Sequence, residues 1–485
     1  MVLMRLVDRT LGLVSTLFLA RMLLPADFGL VAMATLILGV LEIMGSFGFD
    51  IALIQNQRAA RQHFDTAWTL TAMYGAASGL LLAVLAVPVA HFFHEPRLAT
   101  ILWIFSVVAL VQGFENIGTV AFRKELDFQK EFTFRTLKRL VATVITIAAA
   151  LAFRSYWALV VGIVVSRIVG VWISYVLHPY RPRFSLAAVG ELWRFSAWLL
   201  FSNIVVFSAV RGYDFIIGRI AGSHALGVYS VAYDVANLPT SELVDPVARA
   251  VLPGLATLTE DVSQLRQKIV DLISLTALIS FPLGFGIAVL AEPAVRLMLG
   301  PNWTEAIPIV RVLALYGVMR TALSGTGSAY LVQGATRSVA MINCTHLLIG
   351  WPLMLVFLPT LGLVGAGYAI VCASAVGIAI NVYLARGVLG LPPRILAACL
   401  YRPALSGFVL VVFEASLLRL WPPAAGTGQL LLQTLGYVMA GAVAYLISAF
   451  SLWALSGRPA GAERIVLTKL SELAARRPPP REPAR

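Results

Sequence analysis

Charge is what this sequence has least of. Asp, Glu, Lys and Arg make up 13% of its 485 residues, 59% are hydrophobic, and the mean hydropathy is +0.85. A soluble domain carries roughly 25% charged residues, so an ordinary water-soluble fold is excluded. Alternating apolar segments are also missing, which excludes a transmembrane β-barrel. The apolar runs, such as "LLLAVLAVPVA" and "VATVITIAAALAF", are continuous instead. Cysteine is scarce: Cys344, Cys372 and Cys399 lie in or at the end of apolar runs, with neither disulfide nor metal-ligand spacing, so buried thiols are expected. His91 and His94 in "HFFH" have no third ligand nearby, and neither metal nor cofactor is expected. No small-residue cleavage site follows the first apolar stretch, which therefore reads as a retained helix and not a signal peptide.

What is present is a succession of apolar runs about as long as a membrane-spanning helix. Fourteen candidate spans have cores at 3–23, 28–50, 67–90, 98–121, 135–153, 156–177, 194–217, 225–248, 269–290, 305–331, 338–358, 361–385, 398–418 and 428–455. The fold class expected is an all-α polytopic membrane protein. Alternate loops differ in basic charge: one set holds 25 Lys and Arg, including the tail from 456, and the other holds 6. Basic loops stay cytoplasmic, so both termini are expected there. The net charge of +13 then reads as an orientation signal and a surface for anionic headgroups, with no nucleic-acid partner. No soluble domain is inserted, and residues 456–485, ending "ARRPPPREPAR", are expected to be a disordered basic tail. Trp103, Trp157, Trp303 and Trp421 fall near span ends, where tryptophan anchors to the interface.

The sequence also repeats itself. "LARMLLPADFGLVAMA" at 19–34 returns as "IGRIAGSHALGVYSVA" at 217–232, with Arg21 on Arg219, Gly29 on Gly227 and Ala34 on Ala232 at a constant offset. The copies sit at the turns between spans 1 and 2 and spans 7 and 8. Fourteen spans thus divide as seven plus seven in parallel orientation. Two pseudo-symmetric seven-helix lobes around a central cavity are expected, with spans 1–6 and the connecting loop in 1–192 and the remaining spans 7–14, where the second lobe begins at span 7, in 193–455.

These phrases, together with "FGFDIALIQ", "RKELDFQKEFTFRTLKRL" and "IGRIAGSHALGVYSVAYDVANLP", resemble the polysaccharide exporters and lipid-linked oligosaccharide flippases of the MOP superfamily. They suit the Wzx-type and colanic-acid-type exporters better than the drug-antiporter branch. The resemblance implies a flippase, and not an enzyme, that carries an undecaprenyl-pyrophosphate-linked oligosaccharide to the periplasmic leaflet by alternating access. Its implied partners are that substrate, membrane lipids and possible polysaccharide polymerase and other export components.

A charge at the bilayer centre costs at least about 2.5 kcal/mol, so polar residues within spans point to a cavity or to a partner. The first span has Arg5, Asp8 and Arg9, the second Glu42, the fourth Glu115 and the sixth Arg167. Span 7 carries Asn203, Arg211 and Asp214, span 8 carries Asp234, Asn237, Glu242 and Asp245, and span 10 carries Arg311 and Arg320. The resemblance implies that spans 1, 2, 7 and 8 line the cleft. Candidate substrate residues are Arg5, Arg9, Asn203, Arg211, Asp234 and Arg320, guanidinium being complementary to phosphate. Glu42, Asp234 and Glu242 are candidates for ion coupling. Tyr213, Tyr229 and Tyr233 are candidates to stack on sugar rings, or else core residues. Other readings stay open: Arg5 snorkelling to headgroups, Arg211 simply pairing with Asp214, and Arg320 reaching the cytoplasmic face. Pro239, Pro246 and Pro253 recur every seven residues, and the first two are hinge candidates. A MATE-like cation-coupled antiporter is the alternative function. A membrane polysaccharide polymerase is less well supported, because the longest loop on its expected face, about 291–304, is short.

Overall fold

The computed structural model describes residues 2–45, 48–55, 59–256, 262–459 and 461–475, and they are helical nearly throughout. The first eight helices are α1 (Val2–Met22), α2 (Pro25–Gly45), α3 (Phe49–Gln55), α4 (Arg61–Phe93), α5 (Arg97–Gln112), α6 (Val120–Lys124), α7 (Phe128–Phe153) and α8 (Trp157–Leu177). The long α9 (Val189–Ala256) leads to α10 (Val262–Val289), α11 (Ala291–Met298), α12 (Ala306–Ala322), α13 (Ser324–Val332) and α14 (Thr336–Thr345). The chain ends with α15 (Trp351–Val388), α16 (Pro393–Leu420), α17 (Thr427–Leu455) and α18 (Ala462–Ala475).

Among the described residues, nine helices are long and apolar enough to cross a membrane, or ten if one bent pair is a single span. The expected count of fourteen differs for identifiable reasons. The polar first helix, with Arg5, Asp8, Arg9 and Arg21, is too charged to pass. Two pairs of expected spans each fall in one helical run, 194–217 with 225–248 in α9, which is not among the nine, and 338–358 with 361–385 across α14 and α15, which counts once. Gly222 (φ +81°) and Gly362 (φ +64°) interrupt these stretches in the left-handed region that glycine tolerates. A straight helix sets residues eight apart about 12 Å along its axis. Instead, a Cβ on Gly365 would fall on the Phe357 carbonyl oxygen, and one on Gly218 would lie 3.3 Å from Leu226 Cδ2. The chain therefore doubles back at both glycines.

Three further expectations are corrected. The expected straight span at 98–121 is broken: α5 and the segment Ile117–Lys124 meet at 68°. Asn116 fixes that bend, its side chain accepting from Gly118 N at 2.9 Å and its backbone N donating to Ser174 Oγ at 3.0 Å. The tail expected to be disordered contains α18, while residues 476–485 lie outside the described part. Of the three cysteines expected to be buried, Cys399 is buried, Cys344 half-buried and Cys372 exposed.

Two compact units are distinguishable, one comprising Met1–Val231, Met298–Ala306 and Trp351–Ala366, the other Ala232–Leu297, Ile307–Gly350 and Gly367–Arg485. In the first, α4 packs along α5 and α7 along α8, with α1 against α7. The segment 178–188 is strapped to the start of α4 by a polar ladder. Asp65 Oδ1 accepts from the Tyr180 hydroxyl at 2.5 Å and from Arg183 N at 2.9 Å, Thr69 Oγ1 from Ser185 N at 3.0 Å, and Thr66 Oγ1 from Ala188 N at 3.3 Å. Burial, and then the bond to Asp65, push the Tyr180 hydroxyl pKa well up.

In the second unit α16 packs between α10 and α17. Tyr330 donates to Asn381 Oδ1 at 2.9 Å, and Asn381 Nδ2 donates to Thr326 Oγ1 at 2.9 Å, so these buried polar groups satisfy one another. Arg402 of α16 and Glu463 of α18 form an ion pair at 2.9 Å, their side chains only 6% and 3% exposed. Removing one member of a buried pair strands the other charge at a cost of about 3–5 kcal/mol. Glu463→Ala is therefore expected to undock α18 and speed tryptic cleavage at Arg464 and Lys469 roughly a hundredfold, the factor for about 3 kcal/mol. An unchanged digestion pattern would refute this anchoring role.

Candidate functional site

The two copies of the repeated phrase meet each other. Their turns form by different local chemistry. In the first copy Pro25 opens α2, where its missing N–H costs nothing, and Asp27 Oδ2 accepts from Leu24 N at 3.0 Å as a cap. Asp27 Oδ1 also accepts from Tyr156 N at 3.1 Å, tying this turn to the start of α8. In the second copy Gly222 makes the break through its positive φ.

Downstream of both turns the helices cross backbone to backbone. A Cβ on Gly29 would fall on the carbonyl oxygen of Ser223 and lie 2.7 Å from Gly227 N. A Cβ on Gly227 would fall on the carbonyl oxygen of Pro25 and lie 2.8 Å from Gly29 N. The repeat offset carries Pro25 onto Ser223 and Gly29 onto Gly227, so each contact is the image of the other under a two-fold operation. Where a side chain would stand, each glycine directs a Cα hydrogen at a carbonyl oxygen, a contact worth about 0.5–1 kcal/mol.

Around this crossing the short connections supply polar contacts. Arg219 Nη1 donates to His94 Nδ1 at 2.9 Å, with its guanidinium 5.1 Å from the centre of the Phe92 ring. Its repeat partner Arg21 lies with Cγ 3.8 Å from the Cβ position of Gly300. Each arginine of the repeat thus approaches a different short connection, that after α4 or that after α11. Trp303 is fully buried, donates Nε1–H to Ala20 O at 2.7 Å and meets Phe28 edge-on at 5.3 Å. The expectation of an interface anchor is corrected for Trp303, whereas Trp103 and Trp421 are exposed. Ser223 Oγ donates to Glu95 Oε2 at 3.0 Å, and His224 Nε2 lies 2.9 Å from Glu305 Oε2.

The residues singled out in the sequence are distributed as follows. The side chains of Arg5, Asp8, Arg9 and Asp245 lie outside the described residues. Asn203 is half-buried; Arg211 is exposed and bonded to Asp214 at 3.1 Å, the local bridge left open above. Glu42, a coupling candidate, is held by Arg167 Nη2 at 2.7 Å. Asp234, Arg311 and Arg320 are exposed, and Glu242 accepts a 3.5 Å bond from Ser241. Tyr213 and Tyr229 are buried, in keeping with the core alternative, while Tyr233 is half-buried 6.0 Å from Tyr316. The helix continues through Pro239 and Pro246; its recorded backbone break is Gly222. Among the described residues no group of three or more metal-ligating side chains occurs.

Residues 18–308 match the family described as polysaccharide biosynthesis protein. Similar curated proteins include the lipopolysaccharide biosynthesis protein WzxC of Escherichia coli (strain K12), 26% identical over 331 residues, covering 67% of this chain and 66% of that one. The succinoglycan biosynthesis transport protein ExoT of Rhizobium meliloti (strain 1021) is 28% identical over 310 residues, covering 63% of each chain. The chain thus spans just under two thirds of the length of these relatives. Among solved structures, the lipid II flippase MurJ in an inward closed conformation superposes with a TM-score of 0.74 at 13% identity, covering 94% of this chain and 99% of that one. That likeness shows the fold: an all-α polytopic architecture like that of MurJ.

Two outcomes are expected of the crossing. Gly29→Ala and Gly227→Ala each force the helices apart at about 1–3 kcal/mol, and the double variant costs clearly less than their sum, because the first substitution already parts the backbones. Full additivity in unfolding midpoints would mean that the two glycines do not share one contact. The second concerns Glu95, whose carboxyl is held below its ordinary value of 4.5 mainly by the Arg97 hydrogen bond, with Ser223 contributing against desolvation. A lowered pKa adds stability above the ordinary value and loses it as pH falls through the lowered one. Stability should therefore drop on acidification below about 4.5, and Glu95→Gln should flatten that limb of the profile.

Proposed function

Because the chain belongs to the polysaccharide biosynthesis protein family, we propose that it is a flippase for an undecaprenyl-pyrophosphate-linked oligosaccharide. It moves this substrate from the cytoplasmic to the periplasmic leaflet by alternating access, supplying O-antigen, capsule or exopolysaccharide. In this reading it is a transporter and not an enzyme. It lies in the bacterial inner membrane with both termini cytoplasmic, as the basic loops require. A polysaccharide polymerase and other export components are the partners that receive its product.

The observation carrying this reading is the two-fold crossing at Gly29 and Gly227. In the proposed orientation it lies at the periplasmic end, where halves 1–192 and 193–455 meet. A backbone crossing has no interlocked side chains to disengage, so it can be tight when closed and still part. Beside it three polar contacts join the halves, Trp303 to Ala20, Arg219 to His94 and Ser223 to Glu95. At a net 0.5–1.5 kcal/mol each they sum to about 1.5–4.5 kcal/mol. Reversing a two-state equilibrium from 1:99 to 99:1 takes about 5.5 kcal/mol, so binding energy of ordinary size could drive the opening.

Arg5, Arg9, Asn203, Arg211, Asp234 and Arg320 are assigned to the diphosphate head and sugars. Arg211 stays exposed beside Asp214, and its planar guanidinium has further donors for phosphate. Asp234 and Glu242 are assigned to ion coupling. Glu42 can serve in coupling only by releasing Arg167, which holds it. Pro239 and Pro246 are assigned to bending of α9 as the halves move. Outward transfer of an anionic head follows an inside-negative potential by about 2.3 kcal/mol per charge per 100 mV.

The test is transport in vesicles reconstituted with the full chain. Labelled undecaprenyl-pyrophosphate oligosaccharide should cross with wild type, and ethidium should not. Arg9→Gln combined with Arg211→Gln should abolish crossing while the protein remains in the membrane. Ethidium flux without sugar-lipid crossing would favour the MATE-like antiporter, and full activity of the double variant would remove the site assignment.

A further inference from the structure

A second cationic site lies within the first unit, built from residues other than those assigned above. The cavity, about 440 Å³ and open on one side, is lined by the connection after α5, by α6, by the first turns of α7 and by α8. Glu131, Arg135, Lys138 and Arg139 contribute from α7, spaced i, i+4, i+7 and i+8 and therefore on one face. Glu115 and Thr119 after α5, Arg123 of α6 and Ser166 of α8 complete the polar lining.

Its electrostatics are uneven. Glu131 is buried and bonds Arg135 Nη2 at 2.7 Å, with Arg123 Nε at 3.9 Å, so one carboxylate is shared by two guanidinium groups. Among the described residues neither Lys138 nor Arg139 has a carboxylate within 4.0 Å. Lys138 Nζ lies 5.9 Å from the Phe134 ring centre and 2.7 Å from the Cβ position of Gly170. The Arg139 guanidinium crosses the bare backbone of Gly12 on α1. With Glu115 counted on the wall, four basic residues face two acidic ones. Gly12 and Gly170 make room for two long cationic side chains that would otherwise be displaced. A surplus of positive charge, forked donors and a serine hydroxyl suit a phosphate oxygen cluster. The volume falls at the lower end of small-molecule sites, about 300–1,000 Å³, which admits one headgroup but no oligosaccharide. Basic pockets between membrane helices on the cytoplasmic side are where anionic lipid heads bind.

We propose that the cavity between α6, α7 and α8 is a binding site for the phosphate of a membrane-lipid headgroup, with Lys138 and Arg139 as its principal contacts. The same chemistry could be met by a soluble phosphate compound. The site is independent of what the chain transports, and its test reads binding alone.

The full-length protein in neutral detergent is titrated with dioleoylphosphatidylglycerol, dioleoylphosphatidylcholine or inorganic pyrophosphate, and bound ligand is counted by native mass spectrometry. Phosphatidylglycerol should bind at least about tenfold more tightly than phosphatidylcholine, the factor for about 1.4 kcal/mol. Lys138→Gln with Arg139→Gln should remove that preference, Lys138→Arg should keep it, and Arg337→Gln, outside the cavity, should leave it unchanged. Displacement of phosphatidylglycerol by pyrophosphate would assign the site to phosphate from either source; failure to displace it would assign the site to the lipid. Equal selectivity in the double variant, or an equal loss in Arg337→Gln, would overturn the proposal. Should the glutamine variant unfold, retained selectivity in Lys138→Glu would overturn it equally.

Discussion

Two helices can approach until their backbones touch only if neither carries a side chain at the point of contact. Gly29 and Gly227 meet that condition, and each occupies the space that a β-carbon on the other helix's path would need. In a lipid solvent there is no hydrophobic force to press apolar helices together, so close packing and polar contacts must hold them. The neighbouring features follow from this constraint. Arg21 and Arg219 are carried to two different short connections, Trp303 fills the space beside Phe28, and Ser223 comes within reach of Glu95. A side chain at either glycine would disturb all of them together.

Elsewhere the scarcity of charge raises the consequence of each polar group. Water cannot solvate a buried donor or acceptor here, and many of these groups are answered by neighbours in the fold, although some, such as Glu414 Oε2, are not. Asp65, Thr66 and Thr69 take up the backbone N–H groups of the 178–188 segment, Asn381 joins Tyr330 to Thr326, and Glu463 neutralises Arg402. The basic residues of α6 and α7 are handled differently. Glu131 satisfies two of them and leaves Lys138 and Arg139 facing a cavity. A motif that reads in the sequence as mere orientation charge therefore also has a defined pocket.

How much of this was legible depended on the range of the interaction. The apolar runs and the matching Arg, Gly and Ala of the two phrases are visible directly, because periodicity and register are local. The pairing of Arg211 with Asp214 was an open alternative, because three residues on a helix bring side chains together without any tertiary information. The clasp of Glu42 by Arg167 was not legible, since it joins α2 to α8. Burial of Trp303 was missed for the same reason: a tryptophan near a span end satisfies the rule for interface anchors equally well. The helix Ala462–Ala475 was hidden by the proline and arginine of the segment that follows it.

The sequence by itself determined that this chain is a helical membrane protein containing a parallel internal repeat, because hydrocarbon thickness and the hydrogen-bonding needs of the backbone admit few other solutions for such composition. Tertiary structure decided what the repeat does. That the two glycines touch, that each repeat arginine reaches a different connection, and that Lys138 and Arg139 share a cavity depend on helices distant in sequence coming within a few ångströms. Such contacts are set by how whole helix faces fit together, and no local pattern encodes them.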